Sequence, residues 1–278
     1  MVVRPINSVV TRQFLAYALK GGIKITEAIT GTAQPQITRQ SLMSLTMSFP
    51  TEISEQQRIV RLLDEVFEGI AIAKANLEKN LLNARALFRG YLNSAFIEDN
   101  DHWQSKNFED CIQLVQYTRK VQRKQFLSEG RFPIISQEAD FNNGFWNDEA
   151  DLFEVVRPVV IFGDHTRVLK YVDSSFVLGA DGVRILSPHE FLNPKFLYYQ
   201  LLGTDIRSLG YSRHYRLLKE IKIGFPGLEE QARVVSRLDD IARQSQKLAD
   251  SYAQKLAALE LLRASILGQL LMDKSKAA

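Results

Sequence analysis

Two stretches of this chain repeat one hydrophobic spacing over more than forty residues each. After Phe49–Pro50, apolar or small residues recur at Leu63, Val66, Ile70, Ala73, Leu77, Ala84, Leu87 and Tyr91. After Phe225–Pro226 the series is Leu238, Ile241, Leu248, Tyr252, Leu259, Leu262 and Ile266. Steps alternating three and four predict a helix with a heptad seam, and no proline interrupts either stretch. One seam slot is polar in both copies, Asn80 in the first and Lys255 in the second. A polar seam residue lowers stability but sets register and partner choice. At about 1.5 Å per residue, each helix would run roughly 60–70 Å. A half-apolar helix of that length needs a partner along it, and the other copy is the nearest one. The expected arrangement is an antiparallel coiled coil with Leu63, Val66, Ile70, Leu77, Asn80, Leu87, Leu238, Ile241, Leu248, Tyr252, Lys255 and Leu262 in its seam.

The likeness extends beyond periodicity. EQQRIV (Glu55–Val60) returns as EQARVV (Glu230–Val235), and the offset of 175 from Glu55 to Glu230 continues ungapped to Leu92 and Leu267. Upstream, Leu42, Leu45, Met47 and Phe49–Pro50 match Leu218, Ile221, Ile223 and Phe225–Pro226, both alternating strands by pattern. QFLAYAL (Gln13–Leu19) echoes KFLYYQL (Lys195–Leu201). The repeated unit is therefore helix, loop, strand, Phe-Pro, long helix. The second copy is preceded by Asp101–Pro194, which has no counterpart before the first. The start of the first repeat is expected to be missing.

Between the long helices the pattern is mixed. RFPIIS, LFEVVRPVVIFGD, RVLKYVD, SSFVLGADGVRIL and IKIGF predict strands separated by Gly, Asp and Asn turns, and FLNPKFLYYQLLGTDIRSL a helix after Asn-Pro. The predicted class is mixed α/β: one globular domain plus two long helices. The expected divisions are 1–50, the end of a first domain; 51–99, the first long helix; 100–225, a complete domain; and 226–278, the second long helix.

Composition narrows the function classes. The 278 residues are 45% hydrophobic and 24% charged, with a net charge of +3. A global excess of that size is compatible with DNA binding without arguing for it. No run of about 18 apolar residues predicts a membrane span, no signal-peptide pattern opens the chain, and Cys111 is the lone cysteine. The cytoplasm is the expected location. Local basic clusters carry more weight: Arg119, Lys120, Arg123 and Lys124; His165, Arg167 and Lys170; Arg207, Arg213, His214 and Arg216. Tyr117, Tyr211 and Tyr215 interleave with them. Arg and Lys neutralise phosphate, Arg forks onto guanine, and Ser, Thr and His reach base edges or phosphates. The candidate DNA-facing set is Lys120, Arg123, Lys124, His165, Thr166, Arg167, Lys170, Tyr211, Ser212, Arg213 and His214. The plainer account of such clusters is a solvated surface with ordinary ion pairs.

Catalytic motifs are weak. Asp148–Asp151 spells DEAD, but no phosphate-binding G-x-x-x-x-G-K-[ST] loop exists to make it a helicase. Glu220-Ile221-Lys222 lacks an acidic partner for a nuclease site, and Asp164–His165 reads better as a turn than as an acid–base pair. Gly179–Gly182 lacks dinucleotide-loop spacing, and four scattered histidines make no metal site. No catalytic, cofactor-binding or metal-binding residue is expected.

FPTEISEQQRIVRLLDEVFEGI and FPGLEEQARVVSRLDDI, each leading into a long helix, resemble the specificity subunit of type I restriction–modification enzymes. VVIFGDHTRVLKYVDSSFVLGADGVRIL and GYSRHYRLL resemble one version of that family's target recognition domain. The resemblance covers essentially the whole chain. It implies two recognition domains that each read half of a bipartite double-stranded DNA site, with the helix pair setting the spacer. It implies no chemistry in this chain. Methyltransferase subunits would dock on it and use S-adenosylmethionine to methylate adenine. Restriction–translocase subunits, using ATP and Mg, would join indirectly. Met1–Phe49 matches only the tail of a first recognition domain, so another copy of the chain stays open as a partner. The alternative function is a scaffold that binds methyltransferase subunits through its coiled coil without reading DNA.

Overall fold

The computed structural model describes residues 3–23, 25–30, 34–97, 102–113, 115–117, 119–210 and 212–272. The chain divides into two compact units, one of 1–84 with 246–278 and one of 85–245. Each long helix contributes a segment to each unit.

In the first unit, α1 (Arg12–Tyr17) starts at Thr11, whose hydroxyl accepts from the Phe14 amide, and passes into a π-helical turn, Ala18–Gly22. A short hairpin follows, β1 (Ile29–Thr30) with β2 (Gln36–Ile37), then α2 (Arg39–Met43), opened by a Thr38–Ser41 capping box. The chain runs extended through Phe49–Pro50 into α3 (Ile53–Ile97). The last part of α6 (Leu228–Met272) completes the unit. Its core is Val10, Phe14, Ala18, Ile59, Val60, Leu63, Leu267 and Leu271. Gly21 lets the first segment approach α6 closely, since a Cβ there would stand 2.8 Å from Leu267 Cβ. Pairing of the two helices here is antiparallel: Ile59–Leu63 pack with Leu267 and Leu271, the Arg263 guanidinium lies over Phe67, and Lys74 pairs with Glu260.

Among the described residues the second unit holds ten strands: β3 (Gln104–Asn107), β4 (Ile112–Gln113), β5 (Phe132–Ile135), β6 (Phe145–Trp146), β7 (Leu152–Phe153), β8 (Val159–Gly163), β9 (Leu169–Val172), β10 (Phe176–Leu178), β11 (Val183–Pro188) and β12 (Lys222–Phe225). They form sheets in the orders β6-β5-β10-β7, β4-β11-β8-β9 and β12-β3. Helix α4 (Pro194–Gly203), capped by the Asn193 side chain, packs on β8 and β9, and α5 (Tyr215–Leu218) leads into β12. Phe108, Val160, Phe162, Leu192, Phe196, Leu218, Ile223 and Phe225 are the centre of the larger core. Pairing of α3 and α6 in this unit runs through Leu92 and Leu238.

The structure redraws several sequence expectations. LFEVVRPVVIFGD is two strands, broken where Arg157–Pro158 removes a donor. The helix after Asn193 ends at Gly203 instead of continuing to Leu209. The heptad seam also drifts. Asn80 and Lys255 are exposed and Leu81 and Leu256 turn inward instead, while Leu87, Leu248 and Leu262 stand 46%, 40% and 49% exposed beside Phe88, Ala249 and Leu259. A straight helix has about 3.6 residues per turn, so a strict 3.5 repeat rotates off the contact line by roughly 20° per heptad. Both copies shift at the same slot because they share one spacing.

The repeat is visible at the level of individual bonds. Gln56 is fully buried; its amide oxygen accepts from Thr11 N–H at 2.8 Å and its nitrogen donates to Val9 O at 2.9 Å and Pro50 O at 2.8 Å. Gln231, also fully buried, accepts from Asn193 N–H at 2.7 Å and donates to Phe191 O at 2.9 Å and Pro226 O at 2.8 Å. Tyr17 donates to Asp64 as Tyr199 donates to Asp239. Burial and then the carboxylate bond push the Tyr17 hydroxyl up to about 12. In each copy the glutamine ties the Phe-Pro turn and a helix cap to the start of a long helix.

Candidate nucleic-acid interface

Lys120, His165 and Arg213, one member of each basic cluster, come together beside the β8–β9 turn in the second unit. This turn closes through Arg167 N–H to Gly163 O at 2.7 Å and Gly163 N–H to Val168 O at 2.8 Å. Arg167 sits at φ 61°, the left-handed region that L-residues adopt at a cost. Its guanidinium donates to Ile206 O at 2.8 Å, and the Thr166 hydroxyl donates to Gln137 O at 2.6 Å. Both residues stay exposed while pinning the turn to neighbouring loops.

Asp164 organises the approach of the 205–215 loop. Its carboxylate, 2% exposed, accepts the Tyr215 amide at 2.7 Å, and Arg184 Nε stands 3.7 Å away. Its carbonyl accepts from the His214 amide at 2.7 Å and faces His214 Nδ1 at 2.9 Å. Because His214 Nε2 accepts from Leu209 N–H at 3.0 Å, the ring must carry its proton on Nδ1. His214 is therefore a buried pin for this loop and does not face solvent. Lys170 is a second correction to the DNA-facing set. Its side chain is 4% exposed, and its ammonium donates to Asp140 O, Phe141 O and Asn143 Oδ1, tying down the loop before β6. Strand alternation turns Lys170 inward on β9, and burial pulls its pKa down to about 8.

Lys120, His165, Arg184 and Arg213 line a cleft of about 400 Å³ together with Asp164, Asp181 and Gly182. The Lys120 ammonium donates to Val183 O. Burial first, then the neighbouring Arg184, pushes its pKa below the usual lysine value; Asp181 and Asp164 oppose this and Arg213 adds to it. A desolvated ammonium crowded by two guanidinium groups gains from an arriving phosphate or base acceptor. Arg184 also lies 4.9 Å over the Tyr215 ring, and Asp181 is exposed at the rim. Guanidinium forks suit guanine O6 and N7, and a carboxylate accepts from cytosine N4.

Arg123 and Lys124 are exposed on the turn Arg123–Gln125, apart from the cleft residues, and Arg123 pairs with Glu138 at 2.9 Å. Ser212 is half-buried beside Arg213, and Tyr211 lies outside the described residues. Sequence reading missed Arg184 and Asp181. Arg184 occupies the outward slot of β11 between buried Val183 and Ile185, so strand alternation was the signal available for it. Among the described residues no three His, Cys, Asp or Glu side chains are grouped to hold a metal, and no helix is long and apolar enough to cross a membrane.

Comparison with known proteins gives a consistent family. No curated protein sequence matches the chain. A chain from a structure on complex assembly and conformational transition of the type I R-M system matches with a TM-score of 0.81, at 20% identity, over 97% of this chain and 73% of that one. The HsdS subunit from Thermoanaerobacter tengcongensis matches with a TM-score of 0.58, at 19% identity, over 97% and 72%. At such identities the likeness establishes the fold: a mixed α/β chain with two long helices paired antiparallel. The family model for the type I restriction modification DNA specificity domain matches residues 1–83 and 100–254, and with that match over most of its length the chain belongs to this family.

Proposed function

We propose that this chain is a non-catalytic specificity subunit of a type I restriction–modification complex. The second unit reads one part of a bipartite DNA site, and the paired helices dock methyltransferase subunits. The observation that carries the DNA-reading half is the cleft where Lys120, Arg184 and Arg213 converge with the exposed carboxylate of Asp181. Arg123, Lys124 and Arg167 act as phosphate contacts, since all three side chains are exposed to solvent. Docking is supported by an apolar groove in the first unit, lined by Ala73, Leu77, Ala258, Leu259 and Leu262, with Leu262 left half-exposed. S-adenosylmethionine, ATP and Mg then belong to the partner subunits.

A scaffold that binds methyltransferase subunits without reading DNA is the competing account. Co-expression with the cognate modification subunits, followed by genome-wide mapping of methyladenine, separates the two. A single methylated motif that disappears in Arg184→Ala supports the proposal. A stable complex without any motif supports the scaffold.

A further inference from the structure

The cleft of the second unit holds charge that the protein itself leaves unused. Lys120, Arg184 and Arg213 line it with Asp164 and Asp181, for one net positive charge. Three of these five groups are engaged. The Lys120 ammonium donates to Val183 O, the Asp164 carboxylate accepts the Tyr215 amide at 2.7 Å, and Arg184 lies over the Tyr215 ring with its Nε 3.7 Å from Asp164. The other two are not. Among the described residues, neither the Arg213 guanidinium nor the Asp181 carboxylate has a hydrogen bond or an ion pair, with each other or with any third group. Yet both stand on backbone that is held. On either side of Asp181, Ala180 N–H donates to Val121 O at 2.7 Å and Gly182 O accepts from Asp164 N–H at 2.5 Å. Gly182 turns at φ 71°, and a Cβ there would stand 2.6 Å from His165 Cδ2, so only glycine fits this corner. Beside Arg213, the buried His214 donates its amide to Asp164 O and accepts from Leu209 N–H through its ring. Anchored backbones fix where the two unused groups start, so a ligand that takes both has only side-chain rotamers left to order.

That ligand must offer acceptors to a guanidinium and a donor to a carboxylate. A phosphate offers acceptors only, and would set its own charge beside Asp181. In the major groove, a G·C pair joins two adjacent acceptors, guanine O6 and N7, to one donor, the cytosine N4 amine. An A·T pair places the adenine N6 donor between its two acceptors, so a guanidinium fork finds no adjacent pair. We infer that this cleft reads a G·C base pair, with Arg213 donating to guanine O6 and N7 and Asp181 accepting from cytosine N4. Arg184 and Lys120 keep the surrounding field positive and offset the repulsion between Asp181 and the DNA backbone. The inference rests on the DNA-reading function proposed above, and adds to it the base pair and the residue that meets each base.

The test uses the chain assembled with its cognate modification subunits. The methylated motif is mapped first, and binding to duplexes changed at one position of the motif at a time is then measured by competition. The native complex should require one G·C pair whose guanine, replaced by 7-deazaguanine to remove the N7 acceptor, binds about 10-fold more weakly. In Arg213→Ala the 7-deazaguanine effect should vanish. In Asp181→Ala the preference for that same base pair should fall about 10-fold, with affinity for non-specific DNA unchanged or higher. Asp181→Asn keeps an acceptor and should lose less of the preference. Both side chains are exposed, so urea midpoints followed by tryptophan fluorescence should match those of the native chain. Loss of preference at two different base pairs, or at an A·T pair, overturns the inference while the DNA-reading function stands. A uniform gain in affinity for every duplex in both Asp181 variants does the same, and makes Asp181 a general repeller of the DNA backbone. A native complex with no sequence preference overturns the DNA-reading function, and the inference with it.

Discussion

Replacing Gln231 by leucine should be among the most damaging single changes in the second unit. The side chain is fully buried and makes three bonds of 2.7–2.9 Å to backbone groups from two separate loops. Leucine has nearly the same volume, so the packing loss is small. What remains are an unpaired Asn193 amide and two unpaired carbonyls, Phe191 and Pro226. A buried polar group left without a partner costs about 1–3 kcal/mol. With some relaxation, the three together cost about 3–5 kcal/mol, a large share of the 5–15 kcal/mol typical of a folded domain. Both tryptophans, Trp103 and Trp146, lie in this unit, so intrinsic fluorescence reports on it directly. With a urea m-value of about 2 kcal/mol/M, the midpoint should fall by about 2 M. Gln231→Glu keeps the acceptor for Asn193 but sets an anion against two carbonyls. It should be at least as destabilising at pH 7 and partly recover near pH 4, where a protonated carboxyl can donate one bond. A fall in midpoint of under 0.5 M for Gln231→Leu, at unchanged m, would refute the reasoning.

Four further outcomes follow from the packing, the cleft and the exposed cations. In the long helices, Leu81→Ala should cost about 1–2 kcal/mol and Asn80→Ala under about 0.5 kcal/mol, read from urea midpoints by far-UV circular dichroism; the reverse order would restore the strict heptad. Lys170 has a folded pKa of about 8 against an ordinary value of 10.5. Between these limits the unfolded chain binds more protons, so stability attributable to Lys170 rises with pH across that window. Urea midpoints at pH 8 and pH 10 should show this rise in the native chain and a smaller one in Lys170→Met. Arg213→Ala should weaken binding of the assembled complex to its specific site by about 10-fold or more at moderate salt, the loss expected of one charge-assisted base contact. Lys124→Ala should weaken specific and non-specific DNA alike, with a shallower salt dependence of affinity. Equal, sequence-independent losses for both variants would assign Arg213 to the phosphates.

The helices, their near-equal sequences and the Phe-Pro junctions were legible in the chain because they are local. Proline-free heptad spacing and a repeated Glu-Gln motif need no knowledge of what lies across the fold. The role of the repeated glutamine was not legible. Nothing in EQQRIV or EQARVV says that the glutamine following the glutamate reaches carbonyls at Val9 and Pro50 or at Phe191 and Pro226, since those partners are chosen by how loops return to the helix.

The seam shows the same boundary at finer grain. Spacing along the chain specified that one face of each helix is apolar, but not whether that face follows 3.5 or 3.6 residues per turn. The packing partner decided it, and moved contact from Asn80 and Lys255 to Leu81 and Leu256. The basic clusters divided likewise. The sequence placed Lys170, His214 and Arg213 in one basic set, whereas the fold buried the first two as loop pins and brought Arg213 together with Arg184, which the sequence reading missed, in a common cleft. Side-chain type is set residue by residue. Whether a charge faces solvent, a carbonyl or another charge is set by elements far apart in the chain, and only their meeting in the fold determines it.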